Sequence, residues 1–458
     1  GLGGDVLLKD AAELTFSEFE TIVEASSGGG DMEDYYLAYS DPGNPGSIDV
    51  DAGLVKYESS VATNTVYYRR MEDGEYTVLQ YWYFYAMNNW YEHDGFNNHE
   101  GDWESVFIYL KTDDVEAGPE YVAYSAHHND GYQHDNFGQY DSVRRGWESN
   151  EIDKSGDQVT SYVAIGSHAN YPNNGNGGVH KTSTKADRTS STGDKLDGTD
   201  FLEGNEIQST APFWIEYEGS WGADVFDVLS MSSGPKGPRF SNVSGFERFN
   251  DPVKWAGIDL IEFHAFLEGQ LRARFEKTGI SMLFTAAVTA GKIVKIEPYL
   301  EWISFGETPV GTVLLPGFWD ITSDLLNGEF TAEVTFPYDP EAVVALGGAP
   351  EKLAVYFYNE LVDTWQRQES VVDVSEKTVS FTATHFSRYA LGFTVEEATL
   401  EDLFEQLIEE VKATDLRQYK KRSLVRYIRL IERTTQKEHK YAQKVARKLL
   451  ENVTWRIE

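Results

Sequence analysis

A chain of 458 residues with a formal net charge of −36 has room for several domains of roughly 100–200 residues each. So acidic a surface repels nucleic acid and anionic membranes and concentrates cations around it. With 0 cysteines, disulfides, thiolate nucleophiles, zinc–thiolate centres and iron–sulfur clusters are excluded.

Aromatic residues at 14% and 40 glycines suit a folded, strand-rich protein. The most apolar stretch, 280–294, is cut by Gly291 and Lys292 and falls short of the roughly 20 apolar residues of a spanning helix, so no transmembrane segment is expected. The opening "GLGGD" lacks Met and suits a processed, exported protein. Charge is uneven: residues 411–458 carry +9 and leave −45 on the remainder.

In chain order, residues 1–35 read as a helical extension and linker. Thr15 and Glu18 in "TFSEFETIVEA" have capping-box spacing, and Phe16, Phe19 and Val23 share one helical face. Residues 36–250 read as a β-sandwich. "NTVYYRRM" and "YTVLQYWYFYAM" flank Glu72-Asp73-Gly74-Glu75, a hairpin turn. The run "VFIYL" alternates little, as in a strand covered on both faces. Residues 181–200 are polar and loop-like, and His93, His134 and His180 fall in loops with no assignable role.

Residues 251–304 read as a connecting region in which "LIEFHAFLEGQLRARFEK" fits either a helix or two strands. Period-two alternation makes 305–395 a second, smaller β-sandwich. Leu403, Leu407 and Val411 open a helical spacing that makes 396–458 a basic helical tail. The expected fold class is therefore mainly β, two sandwiches and a C-terminal α-helical tail.

The densest chemistry lies in "NNHEGDWES", 97–105. On a strand, Asp102 and Glu104 point to one side and Trp103 to the other. Two carboxylates on one face repel unless a proton, a basic side chain or a cation lies between them. His99, on a turn entering the strand, would bend over that face, and Asp94 would complete a shell. Oxygen donors with one nitrogen suit calcium or magnesium, or manganese, better than zinc. The same residues also fit a plain turn in which His99 caps, Asp102 accepts backbone N–H groups and Glu104 faces solvent. Ser125, His127, His128 and His168 close neighbouring strands and would line the same polar rim.

The ordered set "QYWYFYAMNNW", "NNHEGDWESVFIYL", "YVAYSAHHNDG", "YVAIGSHANYP" and "GSWG" followed by "GPKGPRF" resembles the vacuolar protein sorting-associated sixty-two family over about residues 45–250. It is more remotely similar to the necrosis-and-ethylene-inducing cytolysins, whose signature is Gly-His-Arg-His-Asp-Trp-Glu on a β-sandwich. In those proteins the first His, the Asp and the Glu hold a divalent cation that engages membrane sphingolipid headgroups. The resemblance implies ligands at His99, Asp102 and Glu104 with Asp94 upstream, and it matches a Ser-x-His segment to Ser125 and His127. The chain departs from the signature at Asn98, Glu100 and Gly101, so cation binding transfers better than toxicity. The 305–395 module looks like accessory sandwiches of archaeal and bacterial surface proteins that finish with "HFSRYAL".

The function expected is a secreted or cell-surface, divalent-cation-dependent binding protein for glycan, polyol or lipid-headgroup ligands. A metal-assisted hydrolase, with His127 or His168 as the acid/base group, is the first alternative. A structural subunit is the second, since an acidic body and a basic tail invite homo-oligomers or filaments.

Overall fold

The computed structural model describes residues 6–7, 15–26, 35–37, 65–88, 99–126, 142–175, 177–181, 186–192, 203–206, 213–222, 225–227, 230–232, 234–240, 242–243, 246–299, 303, 305–394 and 408. The protein is mainly β, built from several sheets, none of them closed among the described residues. Among the described residues no helix is long and apolar enough to cross a membrane.

The expected helix forms as α1 (Phe16–Ser26). Its capping box is reciprocal: the Glu18 carboxylate accepts from Thr15 N–H at 2.9 Å and Thr15 Oγ1 accepts from Glu18 N–H at 3.3 Å. Phe19 and Val23 are buried in the same apolar cluster as Trp82, Trp103 and Trp255. The helix is thus part of the first core rather than an extension from it.

That core covers one face of a 6-stranded sheet. In chain order its strands are β1 (Thr65–Asp73), β2 (Tyr76–Asn88), β3 (His99–Lys111), β4 (Pro119–Ser125) and β5 (Ser142–Gly146). Strands β6 (Val179–Lys181) and β7 (Ala186–Arg188) pair outside it, and β8 (Glu203–Glu206) joins β1 in parallel at one edge. Asp73 and Tyr76 close the expected hairpin across Gly74, whose φ of +59° needs no Cβ. Strand β3 is buried along nearly its whole length. Phe107 and Tyr109 face the α1 side, whereas Val106 and Ile108 face a second cluster with Tyr124, Trp147 and Tyr171. Covering on both sides explains the weak alternation of "VFIYL".

A second body begins with β9 (Glu262–Ala265), β10 (Arg272–Arg274), β11 (Ser281–Phe284) and β12 (Ile293–Tyr299). It continues with β13 (Thr312–Leu314), β14 (Phe318–Ser323), β15 (Ala332–Pro337), β16 (Leu353–Asn359), β17 (Thr364–Arg367), β18 (Ser370–Asp373), β19 (Thr378–Ala383) and β20 (Arg388–Thr394). The strands form a 7-stranded sheet, β9-β12-β14-β20-β16-β17 with β13 beside β20, and a 5-stranded sheet, β10-β11-β15-β19-β18. Both contribute to one core, Val294, Ile321 and Leu391 from the first and Met282, Val334 and Phe381 from the second.

The boundary expected at 305 therefore falls inside this body. Residues 251–304, expected as a connector, supply β9 to β12, and "LIEFHAFLEGQLRARFEK" resolves into two strands. Of the expected helical tail only Ile408 is described, helical and buried; the rest of 396–458 lies outside the described residues.

The two bodies meet through buried charge. Arg144 on β5 pairs with Glu297 on β12 and donates to Pro298 O at 2.7 Å and Ala256 O at 2.9 Å. Lys295 reaches Glu297 at 2.6 Å, and Arg145 and Arg388 each hold Glu151 at 2.6 Å. Burial alone would raise the Glu297 carboxyl, but the Arg144 and Lys295 charges hold it down to about 2.

Candidate functional site

The polar end of the first sheet is shaped by a close backbone approach. Gly101 sits in β3 with φ +68°, and a Cβ there would lie 1.7 Å from the carbonyl oxygen of Trp221. Gly222 packs as tightly on the carbonyl of Glu100, with Gly234 behind it, while Trp221 N–H donates to Pro235 O at 2.8 Å. The segment "GSWG" thus lies backbone to backbone against the start of β3, with "GPKG" packed behind it, approaches that only glycine allows at Gly101, Gly222 and Gly234. The Trp221 ring meets Trp103 edge-on at 5.3 Å and fixes the face that carries Trp103.

Trp103 lies in the α1-side core. By alternation Asp102 and Glu104 share the opposite face, both only 6% exposed. The register sets Asp102 beside Tyr85 and Glu104 beside Tyr83. Ser125 at the end of β4 donates to the Glu104 carboxylate and accepts the Ser105 N–H at 2.7 Å. Burial of Glu104 overturns the plain-turn reading, in which it would face solvent.

His168 arrives from a tight turn in which its own N–H bonds Ala164 O at 3.1 Å and its φ is +59°. Its imidazole lies flat on Tyr85, ring centroids 4.0 Å apart, with Nδ1 2.9 Å from Asp102 Oδ2. A positive φ at a residue with a Cβ costs energy that the stacking and the carboxylate contact offset.

His99 differs from expectation. It is the first residue of β3, paired with Asn88, rather than part of a turn. Its Nδ1 lies 2.7 Å from Gly101 O and donates to it. Strict alternation puts His99 on the Trp103 side, and only the left-handed backbone at Gly101 interrupts it. Across the strand pair, Asn88 is 0% exposed and neither amide atom finds a partner among the described residues. Buried orphan amides are uncommon, and the register places this one on the Trp103 face of the sheet, opposite the carboxylate pair.

The structure brings together Asp102, Glu104, Ser125 and His168. It does not gather His99, Asp102 and Glu104 into one cluster: among the described residues no group of three or more His, Asp or Glu side chains is spaced to hold a metal ion. Asp94, His127 and His128 lie outside the described residues.

Sequence reasoning missed a buried network beside His168. Ser167 and Tyr171 donate to the two oxygens of Asp187 at 2.6 and 2.5 Å, and Asp187 is 0% exposed. His180 stacks on Tyr171 at 3.7 Å, with Nε2 3.0 Å from Thr189 Oγ1, which donates to Asn174 Oδ1 at 2.9 Å. Burial pushes His180 down to about 4 against the opposing pull of Asp187, so the ring is neutral and donates through Nε2. Far from a loop, His180 lies on β6, and Asp187 of the supposedly loop-like stretch lies on β7 opposite it.

No family model matches the chain, so that comparison lends no support to the vacuolar sorting resemblance. An amylopullulanase of Thermoanaerobacterium thermosulfurigenes is 36% identical over 78 residues, 17% of this chain. The chain spans 4% of that relative's length. The structural neighbours are necrosis-type toxin folds. Necrosis and Ethylene inducing Protein 2 from the causal agent of cocoa's Witches Broom disease is 16% identical with a TM-score of 0.19, over 32% of this chain and 52% of that one. A "toxin fold for microbial attack and plant defense" is 15% identical with a TM-score of 0.18, over 24% and 45%. Scores this low give no ground for transferring a site.

Proposed function

We propose that the chain is a secreted or cell-surface binding protein that uses a divalent cation at the His99 end of its first sheet to hold a glycan, polyol or lipid headgroup. The observation that carries this reading is the burial of Asp102 and Glu104 side by side on one face of β3. Two carboxylates so placed repel each other, and a cation between them offsets both the repulsion and the cost of desolvation.

The donors fit a hard ion, calcium or magnesium first and manganese next. In this reading His99, whose Nδ1–H is tied to the Gly101 carbonyl at the start of the strand, would supply the nitrogen donor. Asp94 would complete the shell, with His127 and His128 beside it. Ser125 and His168 would orient the carboxylates. A bound ion would supply open positions for ligand oxygens, and the rim in this reading is that of a β-sandwich with a second sandwich behind it.

Calorimetric titration with calcium, magnesium and manganese tests the proposal. Uptake by the intact chain that is lost in Asp102→Asn with Glu104→Gln is expected, at an unchanged thermal transition. No uptake of any of the three ions by the intact chain ends it.

One observation favours a second reading, a metal-assisted hydrolase. Asp102 orients His168 as a carboxylate orients a general base, geometry that serves proton transfer as well as ligand support. Release of chromophore from phosphodiester or glycoside substrates, abolished by His168→Ala, would establish it; inactivity across both classes would remove it.

A further inference from the structure

Strand β3 runs 13 residues from His99 to Lys111, which sets its two ends about 40 Å apart. At the Lys111 end, away from the carboxylate pair, a groove of about 990 Å³ opens between the first sheet and the second body. This volume lies at the upper end of the usual range for ligand clefts, roughly 300–1,000 Å³, and such clefts favour the seams between folded units.

The walls combine ring faces with charges most of which are already paired. Lys111 Nζ sits 4.2 Å over the Tyr76 ring, 2.6 Å from Glu75 and 3.9 Å from Glu120. Tyr76 OH donates to Glu120 at 3.1 Å. Across the groove Lys295 pairs with Glu297 at 2.6 Å and stands 5.8 Å from the ring centroid of Phe263. Phe263, on the edge strand β9, is 66% exposed at the lip.

We infer that this groove binds a neutral, polyhydroxylated ligand, an oligosaccharide. A sugar hydroxyl both donates and accepts, so it bridges an ammonium and its carboxylate without upsetting their balance, while the C–H face of a pyranose covers an aromatic ring. An anion meets an excess of carboxylates: Glu75, Glu120, Glu148, Asp259, Glu297 and Asp320 line the groove against Lys111, Lys277, Lys295 and Arg388. A cation would have to displace Lys111 from Glu75 and Glu120, Lys295 from Glu297 and Lys154 from Glu148. Phe263 gives the ring that sugars stack on, and its exposure in the absence of ligand is what such a platform requires. The site needs no metal ion and stands independently of the cation-dependent reading.

The test is calorimetry of the full chain against cellohexaose, maltoheptaose and chitohexaose, with spermidine and inorganic phosphate as charged comparators. At least one oligosaccharide is expected to bind in the presence of EDTA. Phe263→Ala, which removes an exposed side chain and should leave the thermal transition in place, is expected to weaken that binding about tenfold. Failure of all three sugars to bind, binding unchanged by Phe263→Ala, binding lost in EDTA, or preference for spermidine or phosphate would each overturn the inference.

Discussion

Gly101→Ala perturbs the backbone on which the carboxylate pair depends. The residue has φ +68°, and its new methyl would lie 1.7 Å from Trp221 O and 2.8 Å from Trp221 C. Left-handed backbone costs an alanine about 1–2 kcal/mol. Relieving contact with a carbonyl held by its own neighbours costs a further 1–3 kcal/mol or so, while the stiffer unfolded chain returns about 0.4–1 kcal/mol. The net loss is about 1–5 kcal/mol, centred near 3. Gly74→Ala supplies the comparison: its φ is +59°, but nothing lies within 4 Å of an added Cβ, so it meets the backbone cost alone, about 1 kcal/mol after the same return. Urea unfolding followed by tryptophan fluorescence should show the first substitution losing more than twice what the second loses. Equal losses would refute the close approach of Trp221 to β3.

Other outcomes follow from single contacts. The Glu297 carboxyl is depressed from 4.5 to about 2, so its contribution is fully present above pH 4.5 and lost as pH falls towards 2. The full span is about 3 kcal/mol, and Glu297→Gln should flatten the acid limb of an unfolding curve measured from pH 5 to 2. Burial lowers His180 from 6.5 to about 4, so stability is complete above pH 6.5 and falls as the unfolded chain alone takes up a proton, down to pH 4. This loss too approaches about 3 kcal/mol, and His180→Gln should remove that slope in denaturant midpoints against pH. Thr15→Ala removes an N-cap and should cost about 1 kcal/mol, seen as faster amide exchange in the first turn of α1.

What the sequence made legible was what local chemistry decides. The Thr15–Glu18 box, the Asp73-Gly74 turn and the shared face of Asp102 and Glu104 each follow from spacing over a few residues. What escaped was long-range. Arg144 and Glu297 lie 153 positions apart, and nothing near either announces a buried ion pair. Asp187 and His180 look like loop residues because β6 and β7 are each only 3 residues long and polar, and their burial comes from Tyr171 and Ser167. The 251–304 stretch was ambiguous because β9 and β10 are short edge strands, and exposed Phe263 on β9 with exposed Leu267 and Leu271 between the two strands blurs the alternation. His99 was misplaced on a turn because the sequence does not reveal that Gly101 takes a left-handed conformation within the strand.

The most direct measurement is anomalous scattering at the manganese edge from crystals grown with manganese. The account predicts one peak within about 2.6 Å of a carboxylate oxygen of both Asp102 and Glu104. A map with no peak there, and with Asp102 still turned to His168 and Glu104 to Ser125, would contradict it.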